Sequence, residues 1–257
     1  MTALITGASS GIGLELARTF ARHKHDVVLV ARQEARLVEL AQELTGQGVR
    51  AHVIAADLSL PGAAASLVDR VHADRLQVDI LVNNAGFGLF GAFAETALET
   101  ELQMIQLNIA VVTELTKRFL PAMLARRSGR ILNLASTAAF LPGPLMSVYY
   151  ATKAYVLSFT DALANELEGT GVSITALCPG PTASGFQAAA HLEKSKLMAG
   201  KRLPSSQEVA EFGYDALMSG TPIAIPGMLN KLTAAVPRFF PRAVVRRMVR
   251  SVQDRRQ

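Results

Sequence analysis

The 257-residue sequence predicts an α/β fold in which strands alternate with helices around a parallel sheet. Three observations carry that expectation. Apolar runs such as Asp26–Ala31 (Asp-Val-Val-Leu-Val-Ala) are too continuously hydrophobic for a sheet with one wet face. Most of these runs are followed by a stretch with helical spacing. Glycines, amides and small polar residues gather just past the runs, at the strand ends where open parallel sheets bind ligands.

The elements follow in order. Thr2–Thr6 is an apolar run that leads into Gly7-Ala8-Ser9-Ser10-Gly11-Ile12-Gly13, and Leu14–Arg22 continues with helical spacing. Such a strand, glycine turn and helix lets backbone N–H groups approach a pyrophosphate, because no Cβ blocks the way. It is equally a tight connection without a ligand. Asp26–Ala31 is the second strand and Gln33–Leu44 its returning helix. Ala31-Arg32 falls where a proton-accepting acid would meet a ribose 2′-hydroxyl; alanine followed by arginine suits a 2′-phosphate instead, or the arginine caps a helix. Val49–Ala55 is the third strand, ending at Asp57-Leu58, with Pro61–His72 its helix. Val78–Val82 is the fourth, and Asn83-Asn84-Ala85-Gly86 stands at its end, either a ligand edge or a polar turn.

Leu98–Arg127 reads as one long helical stretch interrupted only at Pro121, with Asn108 among apolar neighbours as a hydrogen-bond hub or part of a polar relay. Gly129–Ala135 is the fifth strand and Ser136 follows it. A helix over Ser147–Leu167 places Tyr149 and Lys153 four apart on one face, where an ammonium would favour the phenolate and bring the tyrosine toward neutral titration. A solvated pair is the alternative. Val172–Leu177 is the sixth strand, with Cys178-Pro179-Gly180-Pro181-Thr182 at its edge and Cys178 read as a packing residue. Ala183–Ser206 loses periodicity and is expected either to cover the substrate as a lid or to be a long surface connection. Gln207–Met218 is a further helix and Pro222–Pro226 a short last strand. One domain over 1–257 is expected, since no repeat or low-complexity linker divides the chain.

Composition excludes several classes. Half of the residues are hydrophobic and 18% are charged, which excludes a disordered chain. No window approaches a membrane span, and Met1–Ser10 lacks a basic region followed by an apolar run, so a cytoplasmic protein is expected. A single cysteine and scattered histidines, with His23 and His25 read as a surface pair, leave no metal site expected. The net charge of +5 resides in the end of the chain. Arg238–Gln257 holds seven arginines and one acid, leaving nineteen basic and twenty acidic residues elsewhere, so no nucleic-acid surface is expected on the main body.

By these motifs the chain resembles the short-chain dehydrogenase/reductase family, in its single-domain branch, over roughly Thr2 to Gly227. The residues that carry the resemblance are Thr6-Gly7-Ala8-Ser9-Ser10-Gly11-Ile12-Gly13, Asn83-Asn84-Ala85-Gly86, Asn108, Ser136, Tyr149-x-x-x-Lys153 and Pro179-Gly180. The resemblance implies a doubly wound Rossmann-type parallel sheet of seven strands in the order 3-2-1-4-5-6-7, with NAD(P) across its carboxyl edge. It implies that Tyr149 is the general acid or base and that Lys153 lowers its pKa and holds the nicotinamide ribose. Ser136 would hydrogen-bond the same substrate oxygen, and Asn108 would hold a water linking Lys153 to solvent. Cofactor contacts implied are Gly7, Ser9, Ser10, Gly11, Ile12, Gly13, Arg32, Asp57, Leu58, Asn84, Ala85, Gly86, Tyr149, Lys153, Pro179, Gly180 and Thr182. Arg32 without an acid at Ala31 points to NADP (NADPH) over NAD, although Ser10 stands where some NADP-preferring relatives carry a basic residue.

The expected activity is hydride transfer between the nicotinamide and a carbonyl or secondary alcohol. The alternative is a non-catalytic NAD(P)-sensing regulatory module, against which stands the presence of Asn108, Ser136, Tyr149 and Lys153 together. Phe87–Phe93, Phe140–Met146 and Phe186–Met198 are expected to line an apolar pocket. Similar proteins form homodimers or homotetramers through the helices that correspond to Leu98–Arg127 and Tyr149–Leu167. The stretch Arg238–Gln257 is expected to be a basic amphipathic helix that lies on an anionic membrane as a peripheral contact, or packs on the domain or a neighbouring subunit.

Overall fold

The structure is a computed structural model that describes residues 1–186 and 203–253. One sheet holds β1 (Thr2–Thr6), β2 (Asp26–Ala31), β3 (Ala51–Ala55), β4 (Ile80–Asn83), β5 (Gly129–Leu134), β6 (Val172–Leu177) and β7 (Ile223–Ala224). Their order is β3-β2-β1-β4-β5-β6-β7 and every pairing is parallel, as expected. The helices are α1 (Gly11–Arg22), α2 (Glu34–Thr45), α3 (Ala63–Ala73), α4 (Leu98–Ile105), α5 (Val111–Ala125), α6 (Ser147–Glu166), α7 (Ser206–Met218), α8 (Met228–Ala235) and α9 (Arg242–Gln253).

The continuous apolar runs are explained by a sheet covered on both faces. Successive side chains of a strand point to opposite sides. Ala3 and Ile5 of β1 join Leu16 and Phe20 of α1, Leu37 of α2 and Leu217 of α7 in one core. Leu4 joins Leu67 and Val71 of α3 and Leu115 and Phe119 of α5 in the other. Both sides of β1 are therefore dry, and no polar alternation is available to it. Because β1 has β2 on one side and β4 on the other, the connections reverse direction there, and a crevice opens beyond the carboxyl ends of β1 and β4.

Several boundaries differ from the sequence reading. The helix after the glycine turn begins at Gly11, so Gly11, Ile12 and Gly13 form its first turn. β3 starts at Ala51 and α3 at Ala63, after Gly62 takes a left-handed φ of 78°. β7 has two residues. Pro121 does not interrupt its helix: it lies inside α5 on the exposed side, where water can meet the carbonyl that its missing N–H leaves unpaired. The interruption is a π-helical turn at Gln106–Ala110, centred on the buried Asn108. His25 is buried rather than on the surface, with Nε2 at 3.0 Å from the Tyr214 hydroxyl, while the exposed His23 stacks on the Tyr214 ring. Of the expected covering segment Ala183–Ser206, residues 187–202 lie outside the described residues; at its ends Ala183 bridges to Ser205.

Candidate active site

At the crevice, the close approach of chain to chain demands glycine. Gly7 has a φ of 70°, and a Cβ on it would lie 2.7 Å from Asn84 Nδ2. A Cβ on Gly13 would lie 2.3 Å from the Gly7 carbonyl oxygen. Asn84 ties the turn to β4: its Nδ2 donates to Thr6 O at 2.8 Å and to Gly7 O at 3.3 Å, and its N–H donates to Thr6 Oγ1 at 3.0 Å. Ser10 is the extended N-cap of α1, exposed, with no hydrogen bond from its side chain to the helix end. Helix N-termini of this kind present bare N–H groups to an anion.

Arg32 leaves the end of β2 with 74% of its side chain exposed, and its Nη1 lies 3.9 Å from Asp57 Oδ2. Burial would raise the Asp57 carboxyl, but the Ser59 hydroxyl and amide, and then Arg32, carry it below its ordinary value. Leu58 beside it is buried. On the other side of the crevice, Thr182 Oγ1 donates to Gly180 O at 3.0 Å. A Cβ on Gly180 would lie 2.3 Å from Asn230 Oδ1 of α8, so the Pro179-Gly180 turn is closely packed as well.

The polar centre is set by the end of β5 and the first turns of α6. Ser136 caps a 3-10 turn, Thr137–Phe140; its Oγ accepts from Ala138 N at 3.1 Å and donates to Pro179 O at 3.3 Å. Tyr149 is half-buried, its ring packs against Tyr150 and Phe186, and its phenol lies near enough to Ser136 to be influenced by that side chain. Lys153 is 6% exposed, donates from Nζ to Leu134 O at 2.6 Å and stands 5.8 Å from the centre of the Tyr149 ring. Gly86 completes this corner, since a Cβ there would come within 2.9 Å of Asn108 Oδ1 and 3.8 Å of Lys153 Nζ.

The electrostatics differ from the sequence expectation. Burial raises the Tyr149 phenol well above its ordinary value; Ser136 opposes the rise and Tyr150 adds to it. Burial likewise lowers Lys153 to about 8, opposed by Cys178. Burial is the largest influence on both groups, and it moves each toward its uncharged form. Cys178 is fully buried and pushed up to about 12, first by burial, which fits a packing residue and leaves no thiolate at neutral pH.

Asn108 is a hub. Its Oδ1 accepts from Phe87 N at 3.2 Å, and its Nδ2 donates to Phe87 O at 3.0 Å and to Thr152 Oγ1 at 3.1 Å. The π turn aims it at the loop after β4, and Thr152 holds it from α6. Thr152 was not singled out by the sequence, nor was Asn133, whose amide links Asn83 of β4 (2.8 Å) to Thr160 of α6 (2.9 Å) through the interior. One signal was present: an asparagine within an otherwise apolar strand needs partners.

Beyond Tyr149 lies an apolar cluster of Phe90, Met146 and Tyr150, joined by Leu145, Phe186 and Val249. A Cβ on Gly88 would meet Phe186, Tyr149 and Met146 at 2.8, 3.1 and 3.2 Å. Two expected lining residues lie elsewhere: Phe140 packs with Ile223 and Ile225 near β7, and Phe93 is exposed. Met198 lies outside the described residues. α9 reaches this cluster, burying Gln253, whose Nε2 donates to the Tyr150 hydroxyl. Among the described residues no group of side chains could hold a metal ion, and no helix is long and apolar enough to cross a membrane.

A family model described as short chain dehydrogenase matches residues 1–195. The ketoacyl reductase HetN of Nostoc sp. is 34% identical over 252 residues, 95% of this chain and 87% of the relative. A short-chain dehydrogenase from Sphingobium yanoikuyae, solved in complex with NADPH, has 31% identity and a TM-score of 0.82 over 94% of this chain and 97% of its own. The bulky-bulky ketone specific alcohol dehydrogenase from Comamonas testosteroni has 29% identity and a TM-score of 0.78, covering 94% and 95%.

Proposed function

Because the chain belongs to the short-chain dehydrogenase family and is an NAD(P)-dependent oxidoreductase, we propose that it reduces the carbonyl of an apolar ketone or acyl-type substrate with NADPH. The observation that carries this reading is the placement of Tyr149 beside a buried Lys153, 5.8 Å from its ring centre, with Ser136 just past the end of β5 at the same carboxyl edge of the sheet.

The glycine turn suits a dinucleotide, since α1 begins directly behind it and no side chain caps its first N–H groups. Gly7, Ser9, Ser10, Gly11, Ile12 and Gly13 would hold the pyrophosphate, Asp57 and Leu58 the adenine side, and Arg32 a 2′-phosphate. Asn84, Ala85, Gly86, Tyr149, Lys153, Pro179, Gly180 and Thr182 would hold the nicotinamide half. When bound, the nicotinamide supplies the hydride.

The chain's own residues supply protons and geometry. A phenol raised by burial is fully protonated at neutral pH, so Tyr149 is suited to donate its proton to a carbonyl oxygen as charge develops there. Ser136, turning its hydroxyl away from the Pro179 carbonyl, donates a hydrogen bond to the same oxygen. Lys153, charged below about 8, stabilises the phenolate that Tyr149 leaves behind. Asn108 positions the Phe87 loop and Thr152 around them. Phe90, Met146 and Phe186 take the apolar part of the substrate, and the bulky-ketone and ketoacyl relatives support that class.

A homo-oligomer through the exposed Leu98 and Leu102 of α4 and Tyr155 of α6, in the cytoplasm, accompanies this reading. The test is a panel of ketones offered with NADPH or NADH and followed by loss of the reduced nicotinamide absorbance. Faster oxidation of NADPH with bulky apolar ketones is expected. Turnover with NADH alone, or with no ketone of the panel, would contradict it.

A further inference from the structure

The basic end of the chain packs on the domain with one face and presents another to solvent. α9 turns Val245, Val249 and Gln253 inward, with Val245 and Gln253 buried. Val244, Met248 and Val252, along one edge of its exposed surface, are 40%, 51% and 44% exposed; Arg247 is exposed beside Val244, and Arg242, Arg246 and Arg250 are exposed along the opposite edge by helical spacing. Ahead of the helix Phe239 is 79% exposed, and on α8 Met228 and Leu229 stand in solvent. Of the eighteen large hydrophobic residues exposed among the described residues, eight fall between Met228 and Val252. Singly exposed hydrophobics need no explanation, but a concentration of this kind marks an interaction surface.

Charge selects the partner. From Ala216 to Gln253 the sequence has no aspartate or glutamate and carries Lys231 and five arginines. Among the described residues Arg242, Arg246 and Arg247 form no salt bridge. A second copy docking through the same face across a two-fold axis would set arginines against arginines. An acidic lipid surface offers what both groups need: phosphates for the guanidinium groups and an acyl boundary for phenylalanine, methionine and valine side chains.

We propose that α8, Phe239–Phe240 and the outer face of α9 form a docking surface for an anionic lipid membrane, on which the protein lies without spanning it. The inner face of α9 covers the Tyr150 and Phe186 cluster, so docking would bring that apolar cluster close to the lipid. That consequence for substrate delivery rests on the function proposed above; the docking itself does not.

The full chain would be sedimented with vesicles of phosphatidylcholine alone or mixed with phosphatidylserine. Partition about tenfold or more in favour of the anionic vesicles, falling with added salt, is expected. Arg242→Gln, Arg246→Gln and Arg247→Gln together should weaken it by roughly fivefold for each arginine removed. Phe239→Ser with Met248→Ser should weaken binding and leave its salt dependence in place. Unchanged thermal unfolding and NADPH fluorescence verify that each variant is folded, and the arginine variant suffices if the other is not. Equal partition to neutral and anionic vesicles, or arginine variants that bind as the parent does, overturns the proposal. So does an oligomer that the same substitutions dissolve while no vesicle binding is seen, which would assign the face to a second copy.

Discussion

The crevice at β1 and the apolar cluster beyond Tyr149 are two ends of one cleft built on different terms. At β1 the walls are backbone: the Gly7 carbonyl lies 2.3 Å from where a Gly13 Cβ would be, and neither partner can turn aside. Beyond Tyr149 the walls are side chains: a Cβ on Gly88 would meet the far ends of Phe186 and Met146, which can rotate. The first end has one shape and suits a ligand of fixed shape. The second can repack, so on the proposed function the cofactor would be recognised rigidly and the substrate adjustably.

The sharpest way to break this contrast is to make like substitutions at both ends. Gly13→Val forces a branched side chain onto backbone, and NADPH affinity should fall by about a hundredfold, as a strain near 3 kcal/mol would require. Gly88→Ala should change the KM for a bulky ketone by only about two- to fivefold, since a flexible ring can move. Equilibrium titration of NADPH and steady-state kinetics would read the two. Comparable losses at both sites would erase the distinction.

Arg32→Asp tests the rigid end with less force. Removing a charge-assisted contact and adding repulsion should move the preference for NADPH over NADH by tens of fold, from roughly 1.5–3 kcal/mol. Equal weakening of both cofactors would remove Arg32 from phosphate recognition.

Between the two ends lies Lys153, and its titration supplies a sign. Burial holds its pKa below the ordinary value, near 8, and on the proposed function its charged form is the one that supports Tyr149. Reduction followed as kcat/KM should be flat below about 8 and fall about tenfold per pH unit above it. Lys153→Arg stays charged and should lose that limb. A limb that persists in Lys153→Arg would belong to another group.

The smallest effect is expected where the adjustable end is braced. Gln253→Leu leaves the buried Tyr150 hydroxyl without its amide donor, at a cost of about 1–3 kcal/mol in stability by thermal unfolding. kcat should stay within about twofold while the KM for a bulky ketone rises modestly. A large loss of kcat would make Gln253 part of the rigid centre instead.

The strands were legible because a parallel sheet covered on both faces needs apolar runs, which β1, β2 and β4 have most continuously, while their order was implied by the family resemblance. The site residues were legible as motifs at strand ends, and the structure brings Ser136, Tyr149 and Lys153 to one corner. Less legible was anything set by distant partners. A π turn at Gln106–Ala110 arises from where Asn108 must point, toward Phe87 and Thr152, and no local spacing announces it. The burial of His25 depends on Tyr214, far along the chain. The raised phenol of Tyr149 depends on desolvation, which spacing on a helix cannot give. The basic end was legible as an amphipathic helix, but not how its apolar residues divide: Val245 and Val249 pack inward while Val244 and Met248 are exposed.

The central claim is that Tyr149 is the proton donor of the site, and Tyr149→Phe tests it most directly, because only the hydroxyl is removed from a ring packed against Phe186. Turnover of the best ketone should fall by about a hundredfold to ten-thousandfold, the range for loss of a general acid, while NADPH binding by fluorescence titration stays within about threefold of the parent. Turnover retained within tenfold, with NADPH still bound, would contradict the account and move the proton donor to another group.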